Sequence, residues 1–216
     1  MSYSQVSYDW QEILAFWFPE GQSPHLDLDT HRDYWFWRMR GGADQEIIQR
    51  FAEITATAAA GELNHWASHP EGRLALIIIL DQFSRSVWRD SPRSYAQDPA
   101  ALQLVLEGFQ HNHFEVLTTP WHKIVYGLPL GHCEGPDHLE RLDLLIQLRK
   151  EIAAQAPPHL TPIYEALIKQ AQDVRAVIAA FGRHPHRNSL LGRDSTSDEV
   201  LYITKKQFPH LRAFQQ

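Results

Sequence analysis

The sequence has one cysteine, a shortage of positive charge and no long apolar run, and each shortage excludes a class of protein. Cys133 is the single cysteine, which excludes an internal disulfide and is typical of a reducing compartment. The net charge of −6 disfavours nucleic-acid binding, because phosphate recognition needs clustered Lys and Arg. The longest apolar run, 74–80, ends at Asp81 and is far too short to cross a membrane.

Targeting and cofactor motifs are also missing. The first nine residues contain neither the basic region nor the apolar segment of a secretory signal, so we expect a cytoplasmic protein. No Gly-rich phosphate loop, nucleophile elbow or dinucleotide fingerprint occurs. The histidine pairs at 111/113 and 184/186 have the wrong spacing to share a helix face, and no His-Glu-x-x-His motif occurs. We therefore expect no cofactor and no metal.

Helical periodicity dominates the chain. Ile47, Phe51, Ile54 and Ala58 form an apolar stripe at helical spacing, and similar stripes recur along the sequence. The predicted helices are 9–18, 29–40, 43–60, 71–88, 97–110, 119–127, 136–155, 161–181 and 196–206. No segment is typical of a strand, and short connections favour antiparallel helix hairpins. Since no linker rich in Pro, Ser or Gly interrupts them, we predict a single all-α domain over 1–216 with about nine helices.

A polar block directly follows the apolar run. Asp81 and Arg85 are four residues apart and share a helix face, and Gln82 extends the polar surface. Because a buried carboxylate or guanidinium is costly unless paired, we expect a polar centre inside the fold. This centre either fixes the packing of the helix as a buried network, or it presents Arg85 to a groove that binds an anion.

A second candidate is the tripeptide His132, Cys133 and Glu134, within the predicted irregular stretch 127–136. His132 and Glu134 can serve as a general base and its orienting acid. Alternatively, both side chains cap neighbouring helices. Cys133 is more typical of a small buried hydrophobe than of a nucleophile.

The densest polar cluster follows the helix at 161–181 and comprises Arg183, His184, His186, Arg187, Asn188 and Arg193. This turn could present His186 and Arg187 to the same cavity as Asp81 and Arg85. In the structural alternative, Arg187 neutralises Asp81 or Glu134, and Asn188 satisfies backbone groups at a helix end.

Four segments together carry a family resemblance: ILAFWF at 13–18, LDQFSR at 80–85, GLPLGHCE at 127–134, and HPHRN at 184–188 with the LGR and ST that follow it. They resemble the bacterial family catalogued as domain of unknown function 924, in order and over almost the whole chain. The resemblance implies an all-helical, tetratricopeptide-like fold, and no activity is established for that family. The family typically has His-Ser-Glu where this chain has His132, Cys133 and Glu134. The change from serine to cysteine weakens the case for a shared nucleophile at this position.

These observations support three hypotheses. The first is a helical-hairpin domain that binds a small anionic molecule or an acidic peptide segment in a polar groove lined by Asp81, Gln82, Arg85, His132, Glu134, His186, Arg187 and Asn188. The second is a hydrolase or lyase in which His132 or His186 is the general base, Glu134 or Asp81 orients it, and Arg85 or Arg187 stabilises an anionic intermediate. The third is a protein-interaction scaffold that uses the apolar C-terminal segment 208–214.

Overall fold

The computed structural model describes residues 8–21, 26–206 and 208–212, and within these ranges the chain is helical and contains no strand. The α-helices are α1 (Trp10–Trp17), α2 (Leu28–Met39), α3 (Asp44–Ala59), α4 (Pro70–Ile77), α5 (Ser84–Val87), α6 (Asp98–Gln110), α7 (Pro120–Tyr126), α8 (Leu128–His132), α9 (His138–Gln155), α10 (Thr161–Phe181), α11 (Ser197–Lys205) and α12 (Pro209–Arg212). All nine predicted helices are present, so the all-α prediction is confirmed. The tetratricopeptide-like stacking stays a prediction.

The centre of the fold is the continuous helical rod formed by α4, a π-helical segment at Ile78–Phe83, and α5. The apolar run lies in this rod, where Ile77, Ile78 and Ile79 have no exposed surface. A helix that is apolar on every side has to be surrounded, and α1, α3 and α6 pack against it. The prediction of a helix over 71–88 did not foresee the π segment, which places Asp81 in a widened turn.

Helices α9 and α10 form an antiparallel pair. Their register is shown by two contacts: Arg175 of α10 forms an ion pair with Asp143 of α9, and Arg149 of α9 donates to the backbone oxygen of Leu167 in α10. The connection between them is a single 3-10 turn at Pro158–Leu160. Such a short connection leaves the two helices side by side, as the sequence predicted.

The predicted irregular stretch at 127–136 is wrong in its first half, because α8 occupies Leu128–His132. Pro129 presets the helical backbone in the first turn, and Leu128 and Leu130 are buried. The position of Gly131 is close to α9: a Cβ added there would lie 3.2 Å from a methyl group of Leu145. His132 is therefore held at the end of a packed helix rather than in a flexible loop.

The last two described helices, α11 and α12, pack near the turn that carries His186 and against α10, respectively. Thr196 and Glu199 form the capping box that begins α11. The ring of Phe208 packs 5.3 Å from His186 and 5.5 Å from Tyr202, measured between centroids. The rest of the predicted apolar segment, from 213 onwards, lies outside the described residues. No described helix has the length and apolarity needed to span a membrane.

Candidate functional site

The polar centre is built around Asp81 and His132. The Asp81 side chain has no exposed surface, and its two oxygens lie 2.8 and 2.9 Å from Nδ1 of His132. Gln82 donates a further hydrogen bond to this carboxylate from its Nε2. The His132 side chain keeps 32% of its surface exposed, so it links a fully buried acid to solvent. The π segment and α8 thus bring together residues 51 positions apart.

The charge of Asp81 determines which ring nitrogen of His132 carries a proton. Burial alone would raise the pKa of Asp81, but the His132 imidazole and the Arg85 guanidinium lower that pKa to about 2. Asp81 is therefore ionised at neutral pH and can only accept hydrogen bonds. When the His132 ring carries a single proton, that proton therefore lies on Nδ1 and the lone pair lies on Nε2, on the side away from Asp81.

A second carboxylate, Asp98, joins the two predicted arginines. One of its oxygens accepts from Nη2 of Arg85 at 2.6 Å, and the other accepts from Nη1 of Arg187 at 2.8 Å. Both guanidinium groups also lie over the ring of Tyr95, with Cζ 4.8 and 4.3 Å from its centroid. Arg85 also reaches Asp81 at 3.5 Å. Arg187 is thus neutralised by Asp98, and not by Asp81 or Glu134 as the structural alternative expected.

A cavity of 490 Å³ opens over this centre, which is a typical size for a small-molecule site. The arginines that line it are Arg38, Arg40, Arg85, Arg89, Arg149 and Arg187. The histidines that line it are His132, His184, His186 and His210. Among the described residues of its wall, Asp44 is the one acid. The cavity wall is therefore cationic although the chain as a whole is acidic.

The histidines of the C-terminal cluster differ from His132 in their surroundings. Nε2 of His184 and Nε2 of His138 both lie 3.0 Å from the backbone oxygen of Gly131, so both rings donate to it. Burial and the neighbouring Arg187 lower the pKa of His186 to about 3. A base that weak accepts a proton from a substrate poorly. His132, which Asp81 holds through Nδ1, is therefore the better candidate for a general base.

Two further predicted site residues, Glu134 and Asn188, do not line the cavity, and neither does the fully buried Asp81. Both oxygens of Glu134 are bound by Arg193, and one also accepts from the backbone N–H of His184 at 2.7 Å. Asn188 is fully buried and donates to the hydroxyl of Ser195 at 3.0 Å. Neither residue caps the helices that the sequence suggested, and both hold the turn that carries His186 and Arg187.

Cys133 is buried, and burial raises the pKa of its thiol. A protonated, buried thiol is a poor nucleophile, which agrees with the prediction of a small hydrophobe. Within residues 8–21, 26–206 and 208–212, no three His, Cys, Asp or Glu side chains are grouped so that they could hold a metal ion.

Sequence reasoning missed several residues of the site, among them Asp98 and Arg149. Asp98 is the first residue of α6, and its carboxylate binds Arg85 and Arg187. Arg149 was not considered, although it follows Leu142 and Leu145 at core spacing on α9. An arginine at a core position of an amphipathic helix was the available signal for it.

The comparisons with known proteins agree with this architecture. A solved structure of a protein of unknown function from Agrobacterium tumefaciens is similar to this chain, with a TM-score of 0.65 and 26% identity over 91% of this chain and 97% of that one. Comparison with curated proteins finds no significant match. A family model described as bacterial protein of unknown function (DUF924) matches residues 13–207. Because this match spans nearly all of the sequence, the chain belongs to the DUF924 family.

Proposed function

We propose that the 490 Å³ cavity binds a small anionic molecule. The observation that carries this proposal is the excess of cationic side chains in its wall. Six arginines line the cavity, and the carboxylates bound to them within the described residues are Glu20, Asp44, Asp81 and Asp98. With Arg40 set aside, the other five arginines share these four carboxylates, and one positive charge remains, that of Arg149. In a partly buried site such an excess attracts anions.

The size and depth of the cavity favour a small molecule over the acidic peptide segment that the sequence also allowed. A volume of 490 Å³ suits a metabolite-sized ligand, and the arginines of its wall come from several helices. Guanidinium groups bind carboxylates and phosphates through paired hydrogen bonds. The single, buried Cys133 further supports a cytoplasmic location for this activity.

Arg187→Gln tests the proposal. We expect small anions such as phosphate and citrate to raise the melting temperature of the native protein, and to raise that of the variant much less, because one of the arginines is gone. Arg193→Gln is the matched control, since Arg193 binds Glu134 and is not part of the cavity wall. Differential scanning fluorimetry measures the shifts. Equal shifts in native protein and Arg187→Gln would remove Arg187 from the site, and no shift with any anion would overturn the proposal.

A second candidate function is general-base catalysis by His132. The observation that favours it is the buried Asp81 carboxylate on Nδ1, which directs Nε2 of a partly exposed ring away from the acid. This is the arrangement by which a carboxylate holds an imidazole in the tautomer needed for proton abstraction. Arg187 would then stabilise an anionic intermediate.

His132→Gln tests this second function. We expect the native protein to hydrolyse p-nitrophenyl acetate above the rate of free imidazole, and the variant to lose at least about 100-fold of that rate. His159→Gln is the control, since His159 bonds to the backbone oxygen of Leu26 and is not part of the cavity wall. Release of nitrophenolate is followed by absorbance. Equal rates in native protein and His132→Gln would exclude a catalytic His132 and leave the anion site intact.

A further inference from the structure

Arg149 is a buried arginine without an acidic partner. It is only 3% exposed, and it has no carboxylate within ion-pair distance among the described residues, unlike Arg38, Arg85, Arg89 and Arg187. Its Nη1 donates to the backbone oxygen of Leu167 and reaches the amide oxygen of Gln170 at 3.4 Å. Its Nε is buried and has no hydrogen-bond partner in the part of the chain that the structure describes.

This arrangement of Arg149 lowers the stability of the fold. Burial alone lowers the pKa of Arg149 to about 10, so the guanidinium stays charged at neutral pH. A buried charge that lacks a counter-ion destabilises the fold, and a buried N–H without an acceptor adds to that cost. Both deficits disappear when an anion with two acceptor oxygens lies against the free side of the guanidinium. Arg149 lines the cavity, so such an anion can reach it.

The wall between Arg149 and the polar centre is apolar. Leu142 and Leu145 of α9 line the cavity together with Ala171, Val174 and Val177 of α10. These five side chains form a corridor, which we call the α9–α10 corridor. Leu145 contacts the position of Gly131, next to His132, and Arg149 lies one helical turn beyond Leu145, or ~6 Å along the axis. The corridor therefore connects an isolated cation to the Asp81–His132 centre.

We propose that the ligand is an amphipathic monocarboxylate, whose carboxylate is bound by Arg149 and whose apolar body lies in the α9–α10 corridor. This inference rests on the anion-binding function proposed above and specifies the class of anion. The single guanidinium at this end matches one negative charge, and its planar donors match the two oxygens of a carboxylate. The corridor favours a ligand with an apolar body, because the polar groups of a ligand that is polar throughout would lose their hydrogen bonds to water there.

The binding of straight-chain carboxylates tests the inference. We expect acetate, butyrate, hexanoate and octanoate to bind the native protein with increasing affinity, by about fourfold for each added CH₂ that is buried. Hexanamide, which has the same shape as hexanoate but no charge, should bind at least about tenfold more weakly than hexanoate. Titration calorimetry gives the dissociation constants, and inorganic phosphate is included as a polar anion.

Three variants separate the role of Arg149 from a structural effect. Arg149→Gln should weaken octanoate binding by at least about tenfold, because the charge and the fork of donors are lost. Arg149→Lys keeps the charge but lacks the planar pair of donors. Its affinity for octanoate should lie between those of the native protein and Arg149→Gln. Arg175→Gln is the matched control, since Arg175 lies on α10, pairs with exposed Asp143 and should bind octanoate as the native protein does. Octanoate should also shift the Nε–H resonance of Arg149 in the native protein, which requires no variant.

The outcomes distinguish this inference from the proposed function. Octanoate binding that is equal in native protein and Arg149→Gln, with an unmoved Nε–H resonance, overturns the inference. Binding of phosphate without any dependence on carboxylate chain length also overturns it, while the anion-binding function stands. If neither phosphate nor any carboxylate binds, the proposed function fails and the inference fails with it.

Discussion

Replacing Asp98 with alanine is expected to lower the free energy of unfolding by about 3–5 kcal/mol. The side chains of Asp98 and Arg187 are only 5% and 6% exposed, and Arg85 shares the same carboxylate. Removing this acid leaves two guanidinium groups side by side over the Tyr95 ring, and only Arg85 retains a contact to Asp81, at 3.5 Å. The loss of a shared partner for two buried charges makes this the largest single-residue effect that we expect in the polar centre.

Urea unfolding followed by circular dichroism measures this effect. Gln103→Ala is the control on the same helix, because Gln103 is exposed and the change should stay within about 0.5 kcal/mol. The double variant Asp98→Ala with Arg187→Met should lose less than the sum of the single changes, since one of the orphaned charges is removed as well. Additive losses would show that Asp98 and Arg187 do not stabilise one another.

The second large effect is a loss of stability between pH 6.5 and pH 4. Burial lowers the pKa values of His31, His122 and His138 from 6.5 to about 4. In this range the unfolded chain binds protons that the folded protein excludes, so stability is complete above pH 6.5 and falls as the pH decreases. Each histidine contributes on the order of 3 kcal/mol to the total loss. Protonation of Asp81, whose pKa is lowered from 3.8 to about 2, reduces stability mainly below pH 4 and contributes little in this range.

His122→Leu tests the origin of this pH dependence. The His122 ring packs against Phe18 with centroids 4.2 Å apart, so an apolar side chain suits the site. We expect the variant to lose less stability than the native protein between pH 6.5 and pH 4. Exposed His65 provides the control variant, His65→Gln, which should follow the native curve. Thermal unfolding at half-unit pH steps gives the comparison. Identical slopes in native protein and His122→Leu would show that His122 is not excluded from protonation by the fold.

Helical periodicity was a sufficient guide to most of the secondary structure. The stripe Ile47, Phe51, Ile54 and Ala58 predicted α3, and all four side chains are buried. The physical reason is that the spacing of apolar residues reports directly which face of a helix is removed from water. The same reasoning failed at α8, whose five residues are too few to show a period. It also could not show the π segment, because one widened turn leaves the apolar pattern of the rod unchanged.

The site was predictable in part for a related reason. Asp81, Arg85, His132 and Arg187 were recognisable because charged groups next to apolar segments require partners. The identity of those partners depends on which helices meet, and the sequence could not supply it. Glu134 was expected in the groove and instead binds Arg193, while Asp98, which was not among the predicted site residues, joins Arg85 to Arg187.

The sequence by itself determined that this chain is all-helical, that its central helix is buried on every side, and that buried charges have to be paired. These properties follow from local spacing and from the cost of removing charge from water. Only the tertiary structure decided which charge pairs with which, and that Arg149, at the end of the α9–α10 corridor, has no acidic partner among the described residues. Pairing depends on distances between residues far apart in the chain, such as the 2.8 Å between His132 and Asp81, and those distances exist only after the helices have packed.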